Sequence, residues 1–251
     1  MNKKALTLSG ISILLSLLLS SCKTTDVTKS DLNIKSIAVD SASMPAKIGV
    51  GQFDQAGIRL LITYSDGTSE YVAVNSSMVP SEYQSYLTTP GQYTVSILFR
   101  GQETSIVVNI VSIYTVSFSA YKENTPTLVV VAKKSVLDGD GATAPSEFST
   151  NFIAARLHYR FTSWDADFSA VTADLAVTAV YSTIAVYQVN FYDGNLKAIS
   201  TQWIDKGADA VEPTETERAV AGYVFVGWDR SYKAVIKDLE IYGIYYKVTV
   251  K

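Results

Sequence analysis

Residues 161–181 read Phe161-Thr-Ser-Trp164-Asp165-Ala-Asp-Phe168-Ser-Ala-Val171-Thr-Ala-Asp174-Leu175-Ala-Val177-Thr-Ala-Val180-Tyr181. Residues 225–245 read Phe225-Val-Gly-Trp228-Asp229-Arg-Ser-Tyr232-Lys-Ala-Val235-Ile-Lys-Asp238-Leu239-Glu-Ile241-Tyr-Gly-Ile244-Tyr245. The spacing is 64 throughout, and 8 of the 21 positions are identical. Tandem self-similarity of this length marks an array in which each unit is a small structural repeat. So small a unit has a thin core, and burying one tryptophan removes on the order of 200 Å² from water. Trp164 and Trp228, with Phe161/Phe225 and Phe168/Tyr232, are therefore expected to plug the two cores. Leu175 with Val177, and Leu239 with Ile241, face that plug from the last strand, because residues two apart share a strand face. Asp165/Asp229 and Asp174/Asp238 are expected beside short turns, bonding neighbouring backbone N–H groups. In a competing reading the Trp-Asp pair stacks a sugar and binds its hydroxyls. Repetition at matched strand positions is what packing demands, and it favours the core.

Working outward, each repeat opens on a strand, Tyr114-Thr-Val116-Ser-Phe118 and Tyr187-Gln-Val189-Asn-Phe191. These starts lie 73 apart, so the first copy holds about nine extra residues before its Trp-Asp core. The second copy continues through an Asp193-Gly194 hairpin turn, Pro213 and Gly222-Tyr-Val-Phe225-Val-Gly227-Trp228-Asp229, and closes on Asp238-Leu239. The whole signature resembles the Listeria–Bacteroides repeat, also known as the internalin B-repeat. That resemblance implies compact β-grasp-like modules of about 70 residues, found in tandem on bacterial surface proteins, here at residues 113–183 and 186–251. The first copy departs from the pattern: His158 stands for Gly222 and Ser163 for Gly227. Glycines at such places serve tight turns or close backbone approach. The first copy therefore reads as a drifted module, with His158 at a turn.

Upstream, residues 33–112 alternate with a period of two. Gly57-Ile58-Arg-Leu60-Leu-Ile62-Thr-Tyr64 is interrupted by Ser65-Asp66-Gly67-Thr68 and resumes at Glu70-Tyr71-Val72. Asp-Gly between alternating runs predicts a hairpin with a type I′ turn. Pro90-Gly91 and Arg100-Gly101 mark further turns, and four or five strands at this spacing predict a β-sandwich. Leu61-Ile-Thr-Tyr-Ser-Asp-Gly-Thr68 and Thr89-Pro-Gly-Gln-Tyr-Thr-Val95 resemble a group 3 bacterial immunoglobulin-like domain. Such domains are usually spacers in surface proteins and bring no catalytic residues with them. Residues 81–87 are expected to form one or two helical turns. The fold class expected is thus mainly β: an immunoglobulin-like sandwich followed by two tandem β-grasp-like repeats.

At the N-terminus, Lys3 and Lys4 precede an apolar run over residues 5–19 and the small pair Ser20-Ser21. This is the layout of a secretory signal, and it falls short of the roughly 20 residues a membrane span needs. Leu19-Ser20-Ser21-Cys22 resembles the lipobox of bacterial lipoproteins, which implies a signal peptide over residues 1–21 and acylation of the Cys22 thiol. Two or more acyl chains anchor stably where one is marginal. Residues 22–32 are polar and unpatterned and read as a tether. Cys22 is the one cysteine, so the chain forms no internal disulfide or cysteine metal site. Removing residues 1–21 takes Lys3 and Lys4 but no acid, leaving 19 basic against 24 acidic side chains. A mildly acidic chain without a basic cluster is a poor nucleic-acid binder.

No constellation for catalysis emerges. His158 is the only histidine, no Gly-x-Ser-x-Gly elbow occurs, and Ser119-Ala-Tyr-Lys122 sits on an expected strand. Asp138-Gly-Asp140-Gly141 begins like a calcium loop, but Ser149 stands where the bidentate Glu belongs, so turn chemistry explains it better than a weak calcium site. Sixteen tyrosines are the compositional oddity. Tyr242, Tyr245 and Tyr246 crowd the last strand, and neighbours on a strand point oppositely. The expected protein is a non-catalytic, cofactor-free lipoprotein for display or adhesion at the cell surface. It is held to the membrane through Cys22, with a protein or glycan partner and no nucleic acid. The alternative is a glycan-binding module of a polysaccharide-handling system.

Overall fold

The computed structural model describes residues 32–83, 87–247 and 249. The expected signal segment, Cys22, all of the expected tether except Leu32, and residues 84–86 of the expected helical turns lie outside them. Among the described residues the regular structure is almost wholly strand. Two single 3-10 turns, Ser41–Ser43 and Gln55–Gly57, are capped by the carboxylates of Asp40 and Asp54, which accept from the second backbone N–H of each turn.

The first unit is a sandwich of two three-stranded sheets. One holds β1 (Ile34–Val39), β3 (Arg59–Tyr64) and β4 (Ser69–Ala73), with β3 central. The other holds β2 (Ile48–Gly49), β5 (Gly91–Phe99) and β6 (Gln102–Val111), with β6 central. Leu60, Ile62 and Tyr64 on alternate positions of β3 meet Val95, Ile97, Ile106, Val108 and Ile110, all buried. Period-two patterning thus buries one face of each sheet against the other. The β3–β4 connection differs from expectation. Only Gly67 has positive φ (+85°), and its N–H bonds Tyr64 O, so a type I turn precedes a left-handed glycine. Asp66 keeps negative φ because its carboxylate accepts from the N–H and hydroxyl of Thr68. In this unit the two-residue turn with both φ positive is Arg100-Gly101, between β5 and β6.

Only Ser112 separates β6 from β7 (Ile113–Tyr121). The remaining strands are β8 (Leu128–Leu137), β9 (Asn151–Ala154), β10 (Leu157–Trp164), β11 (Leu175–Tyr192), β12 (Ala198–Asp205), β13 (Tyr223–Trp228) and β14 (Leu239–Lys247). The first repeat runs β8-β7-β11-β10-β9 and the second β12-β11-β14-β13. Leaving aside β9, which the first repeat alone has, the first strand of each lies parallel to the fourth: Val116 faces Leu175, and Val189 faces Leu239. The β11 strand, 18 residues long, is the last strand of one repeat and the first of the next. The expected division near residues 183–186 falls inside it, so no linker separates the repeats.

Equivalent positions recur bond for bond. The offset between copies is 73 in the first strand, 68 in the second and 64 in the third and fourth. Two bulges repeat as well, Phe118/Ser119 with Phe191/Tyr192 and Phe161/Ser163 with Phe225/Gly227. The steps from 73 to 68 to 64 locate the extra residues of the first copy. Five lengthen the β7–β8 connection, and four belong to the β9 hairpin, which the second copy lacks.

Each repeat core centres on a buried phenylalanine from the first strand. Phe118 receives the edges of Trp164 and Phe168, both at 5.1 Å between ring centroids. Phe191 receives Trp228 at 4.9 Å and Tyr232 at 5.7 Å. Val171, Val177 and Leu175 complete one core, and Val235, Ile241 and Leu239 the other. Phe161 and Phe225 sit instead at the margin, against the tyrosine facing each across the last two strands, Tyr181 and Tyr245. Replacing Phe191 with alanine is expected to cost about 3–5 kcal/mol in urea unfolding. Val226→Ala, at a side chain 60% exposed, should stay within about 0.5 kcal/mol.

Candidate functional site

The repeated aspartates close the sheets. Asp165 Oδ1 accepts from Thr178 N at 2.7 Å, and Asp229 Oδ1 accepts from Tyr242 N at 2.8 Å. Asp174 Oδ1 accepts from Thr115 N at 2.8 Å, and Asp238 Oδ1 from Gln188 N at 2.9 Å. The expectation of bonds to neighbouring backbone is corrected: these carboxylates reach 13 to 59 residues along the chain. The last two tie the start of strand one to the start of strand four, which sets the parallel register.

His158 does not stand in a turn. It lies within β10, paired with Ile153 and Ile184. The turn falls two residues earlier, at Ala155 and Arg156 (φ +47° and +59°), because the β9 hairpin carries strand pairing past the point where the second copy bends at Gly222 (φ +78°). Gly227 also proves replaceable, since a Cβ there meets nothing within 4 Å, so Ser163 fits the same bulge.

Around this hairpin the repeats are clamped together. His158 Nδ1 lies 2.7 Å from Asp205 Oδ1, Arg160 pairs with the other oxygen of Asp205, and His158 Nε2 meets Asn151. Arg156 bonds both oxygens of Asp238 at 3.0 Å, and its guanidinium lies over Trp203 at 5.6 Å. At the other junction Lys47 Nζ donates to Asp138 O and Asp140 Oδ1, both at 2.7 Å. A lysine ammonium therefore occupies the cation position that the calcium-loop motif suggested. Among the described residues no group of three or more His, Cys, Asp or Glu side chains converges for a metal.

The second repeat carries a concavity beside its core tryptophan. Trp228 is half-buried; its indole N–H donates to Glu212 Oε1 at 3.1 Å, and Tyr232 Oη–H donates to Oε2 at 3.1 Å. Arg218 Nη1 donates to Glu212 Oε1 at 2.5 Å, and its guanidinium lies 4.5 Å over the Phe225 ring. The Trp228 bond foremost, then Tyr232 and the Arg218 charge, hold Glu212 below the usual carboxylate range against its burial. Glu212 is thus a fixed anion serving its neighbours. Beyond it, two adjoining hollows of about 250 and 260 Å³ share Val220, Tyr223 and Tyr245. Tyr245 lies down on two glycines: a Cβ on Gly243 would come within 2.5 Å of its ring, and one on Gly194 within 2.9 Å. Its hydroxyl donates to Arg218 O at 2.7 Å, and burial, then the Asp193 charge, raise its pKa. Tyr223 rises beside it, 44% exposed. Asn195, Glu215 and Arg218 supply the polar rim.

No family model and no curated protein matches the chain. Among solved structures, domains 3-4 of the Streptococcal High Identity Repeats in Tandem (SHIRT) from a cell surface protein are 17% identical, covering 54% of this chain and 98% of that one, with a TM-score of 0.24. A superposition that loose carries no argument, and the β architecture rests on the strand pairing itself.

Of the residues singled out in the sequence, Trp164, Phe168, Leu175, Trp228, Tyr232 and Leu239 pack on the repeat cores. Cys22 lies outside the described residues. Phe118 and Phe191 were visible as strand residues, but the 64-residue alignment places no ring opposite them. Aligning the opening strands at 73 superposes the two. The Asp205 and Asp238 contacts were beyond reach, because their partners belong to the other repeat.

Acid should loosen the Asp238 clamp. The Arg156 hydrogen bond, then the Gln188 N–H, lower the Asp238 pKa. A depressed carboxylate contributes stability that is present above its unfolded value of about 3.9 and is lost as pH falls through the folded value. Asp238→Asn is therefore expected to flatten the loss of stability below about pH 4 while changing little at pH 7 in slope. Urea unfolding as a function of pH checks this.

Proposed function

We propose that the chain is a lipid-anchored, non-catalytic interaction protein of the bacterial cell surface, whose sandwich and two repeats display a contact surface. The observation that carries this reading is the single strand β11 running through both repeats, backed by the Arg156–Asp238 and His158–Asp205–Arg160 clamps. A hinge would disperse a partner's footprint, whereas a shared strand holds two modules in one orientation. The lipobox-like Leu19-Ser20-Ser21-Cys22 supplies the anchor, and the polar segment behind it the tether. Resemblance to the Listeria–Bacteroides repeat and to bacterial immunoglobulin-like domains points to the same setting.

The carboxylates fit a structural role better than a catalytic one. Asp165, Asp174, Asp229 and Asp238 are spent on backbone N–H groups, and Glu212 on Trp228, Tyr232 and Arg218. A general acid or base needs a proton that a substrate can reach. A second reading, the glycan-binding module, draws on half-exposed Tyr223 beside the polar rim of the cleft.

The anchor is tested in a bacterial host by labelling with radioactive palmitate and by detergent phase partitioning. The wild-type chain is expected to take up label and enter the detergent phase, while Cys22→Ser takes up none and stays aqueous. Unlabelled, aqueous wild-type protein would contradict the proposal.

A further inference from the structure

The two repeats differ most where the cleft lies, and the first repeat displays what fits there. Its counterparts of Tyr223 and Tyr245 are Tyr159 and Tyr181, by the 64-residue offset that pairs Phe161 with Tyr181 and Phe225 with Tyr245. Neither ring is open in the first repeat. Phe152, on β9, stacks on Tyr159 at 4.8 Å with planes 5° apart, and is itself only 6% exposed. Tyr121 stacks on Tyr181 at 4.5 Å and meets Phe152 edge-on at 5.8 Å. Four rings thus close on one another, with the Tyr181 hydroxyl donating to Ser149 O.

In the second repeat both covering rings are missing. The position of Tyr121, at the 73-residue offset of the first strand, holds Gly194. The position of Phe152 has no counterpart, because the chain passes from Arg218 to Tyr223 without a β9-like strand. Yet the receiving half is kept: Tyr223, Tyr245, and a backbone oxygen, Arg218 O, for the Tyr245 hydroxyl as Ser149 O serves Tyr181. What is left is the cleft itself. A hollow of about 250 Å³ exceeds the roughly 150 Å³ apolar cavity known to admit benzene.

The backbone beside the cleft is at a sheet edge from the Tyr223 carbonyl onward, because Gly222 bends the chain (φ +78°) and Val220 O holds the Tyr223 N–H at 3.0 Å. In the first repeat β9 pairs with Leu157, His158, Tyr159 and Arg160 of β10 and brings Phe152 onto Tyr159 in register. The corresponding β13 is the outermost strand of its sheet. The outward face of the β13–β14 pair differs too: Arg160, Thr162 and Ser182 of the first repeat give way to Val224, Val226 and Tyr246, all exposed. Exposed edge strands are templates for strand addition, which natural proteins otherwise shield. Main-chain pairing along an edge with a side chain in a pocket is a recurrent mode of peptide recognition.

From this internal comparison we infer that the Tyr223/Tyr245 cleft is a binding site for an aromatic side chain carried on an extended peptide, which pairs along β13 from the Tyr223 carbonyl onward, the part of the β9–β10 pairing that the bend at Gly222 leaves in place. A peptide is favoured over a glycan because the molecule's own occupant of the equivalent place is an aromatic ring on a strand. The inference deepens the interaction reading by naming its partner class. It rests on that reading for biological context alone, since the site is assayed on purified protein without a membrane.

The probe is a fluorescein-labelled peptide of residues 148–155, Phe-Ser-Thr-Asn-Phe-Ile-Ala-Ala, titrated with the full chain and followed by fluorescence anisotropy. Saturable binding is expected. It should weaken at least tenfold for the peptide carrying Phe152→Ala, a control that leaves the protein untouched. It should also weaken at least tenfold for the Tyr223→Ala protein, whose circular dichroism should match wild type because the side chain is half exposed. Absence of saturation, equal binding of the Phe152→Ala peptide, or equal binding by Tyr223→Ala would overturn the inference. Displacement of the probe by cello- or chito-oligosaccharides would overturn it in favour of a glycan site. Failure of acylation at Cys22 would leave this result standing, and failure here would leave the anchor standing.

Discussion

Everything in the repeat region depends on parallel pairing at both ends of one strand. The β11 strand meets β7 through Leu175, Ala176, Val177 and Thr178, and meets β14 through Val189, Asn190, Phe191 and Tyr192. Side chains alternate along a strand, so a slip of one residue would turn Val177 and Phe191 out of their cores together. The two repeats are therefore registered to each other by the same periodicity that folds each of them. Asp174 and Asp238 hold that register from outside, each accepting the N–H of a residue that opens strand one. Duplication has here produced a coupled pair in which neither repeat owns all of its strands.

The coupling is reinforced by the feature that makes the first repeat unlike the second. Its β9 hairpin places Ala155 and Arg156 in left-handed conformations that cost non-glycine residues on the order of 1 kcal/mol each. The same turn aims Arg156 at Asp238 and Trp203, while its carbonyl accepts from Val186 N. Local strain is thus offset by contacts across the junction. In the second repeat the positions of Arg156, His158 and Arg160 are Val220, Gly222 and Val224, so the junction chemistry occurs once. Drift in the first copy reads better as specialisation for holding its neighbour.

How much of this the sequence disclosed follows from which contacts are local. The repeat, its Trp164 and Trp228 plugs and the alternating last strands were legible, because each depends on residues close together and spaced by two. The sandwich was legible for the same reason, although the Asp66-Gly67 turn took another type once the Asp66 side chain found Thr68. Less visible were pairs brought together by topology, such as His158 with Asp205 and Asp165 with Thr178. The cleft was hidden for a subtler reason. Its meaning lies in Tyr121 standing opposite Gly194, and that pair aligns only in the 73-residue register of the opening strands, while the conspicuous motif aligns at 64.

Hydrogen–deuterium exchange along Leu175–Tyr192 tests the central point most directly, since exchange reports the free energy of local opening at each amide. The middle of the strand, residues 180–187, is expected to be protected to the same degree as Val177 and Phe191 in the two cores. Rapid, loop-like exchange confined to that middle segment would show two independent modules on a hinge, and would contradict the shared strand.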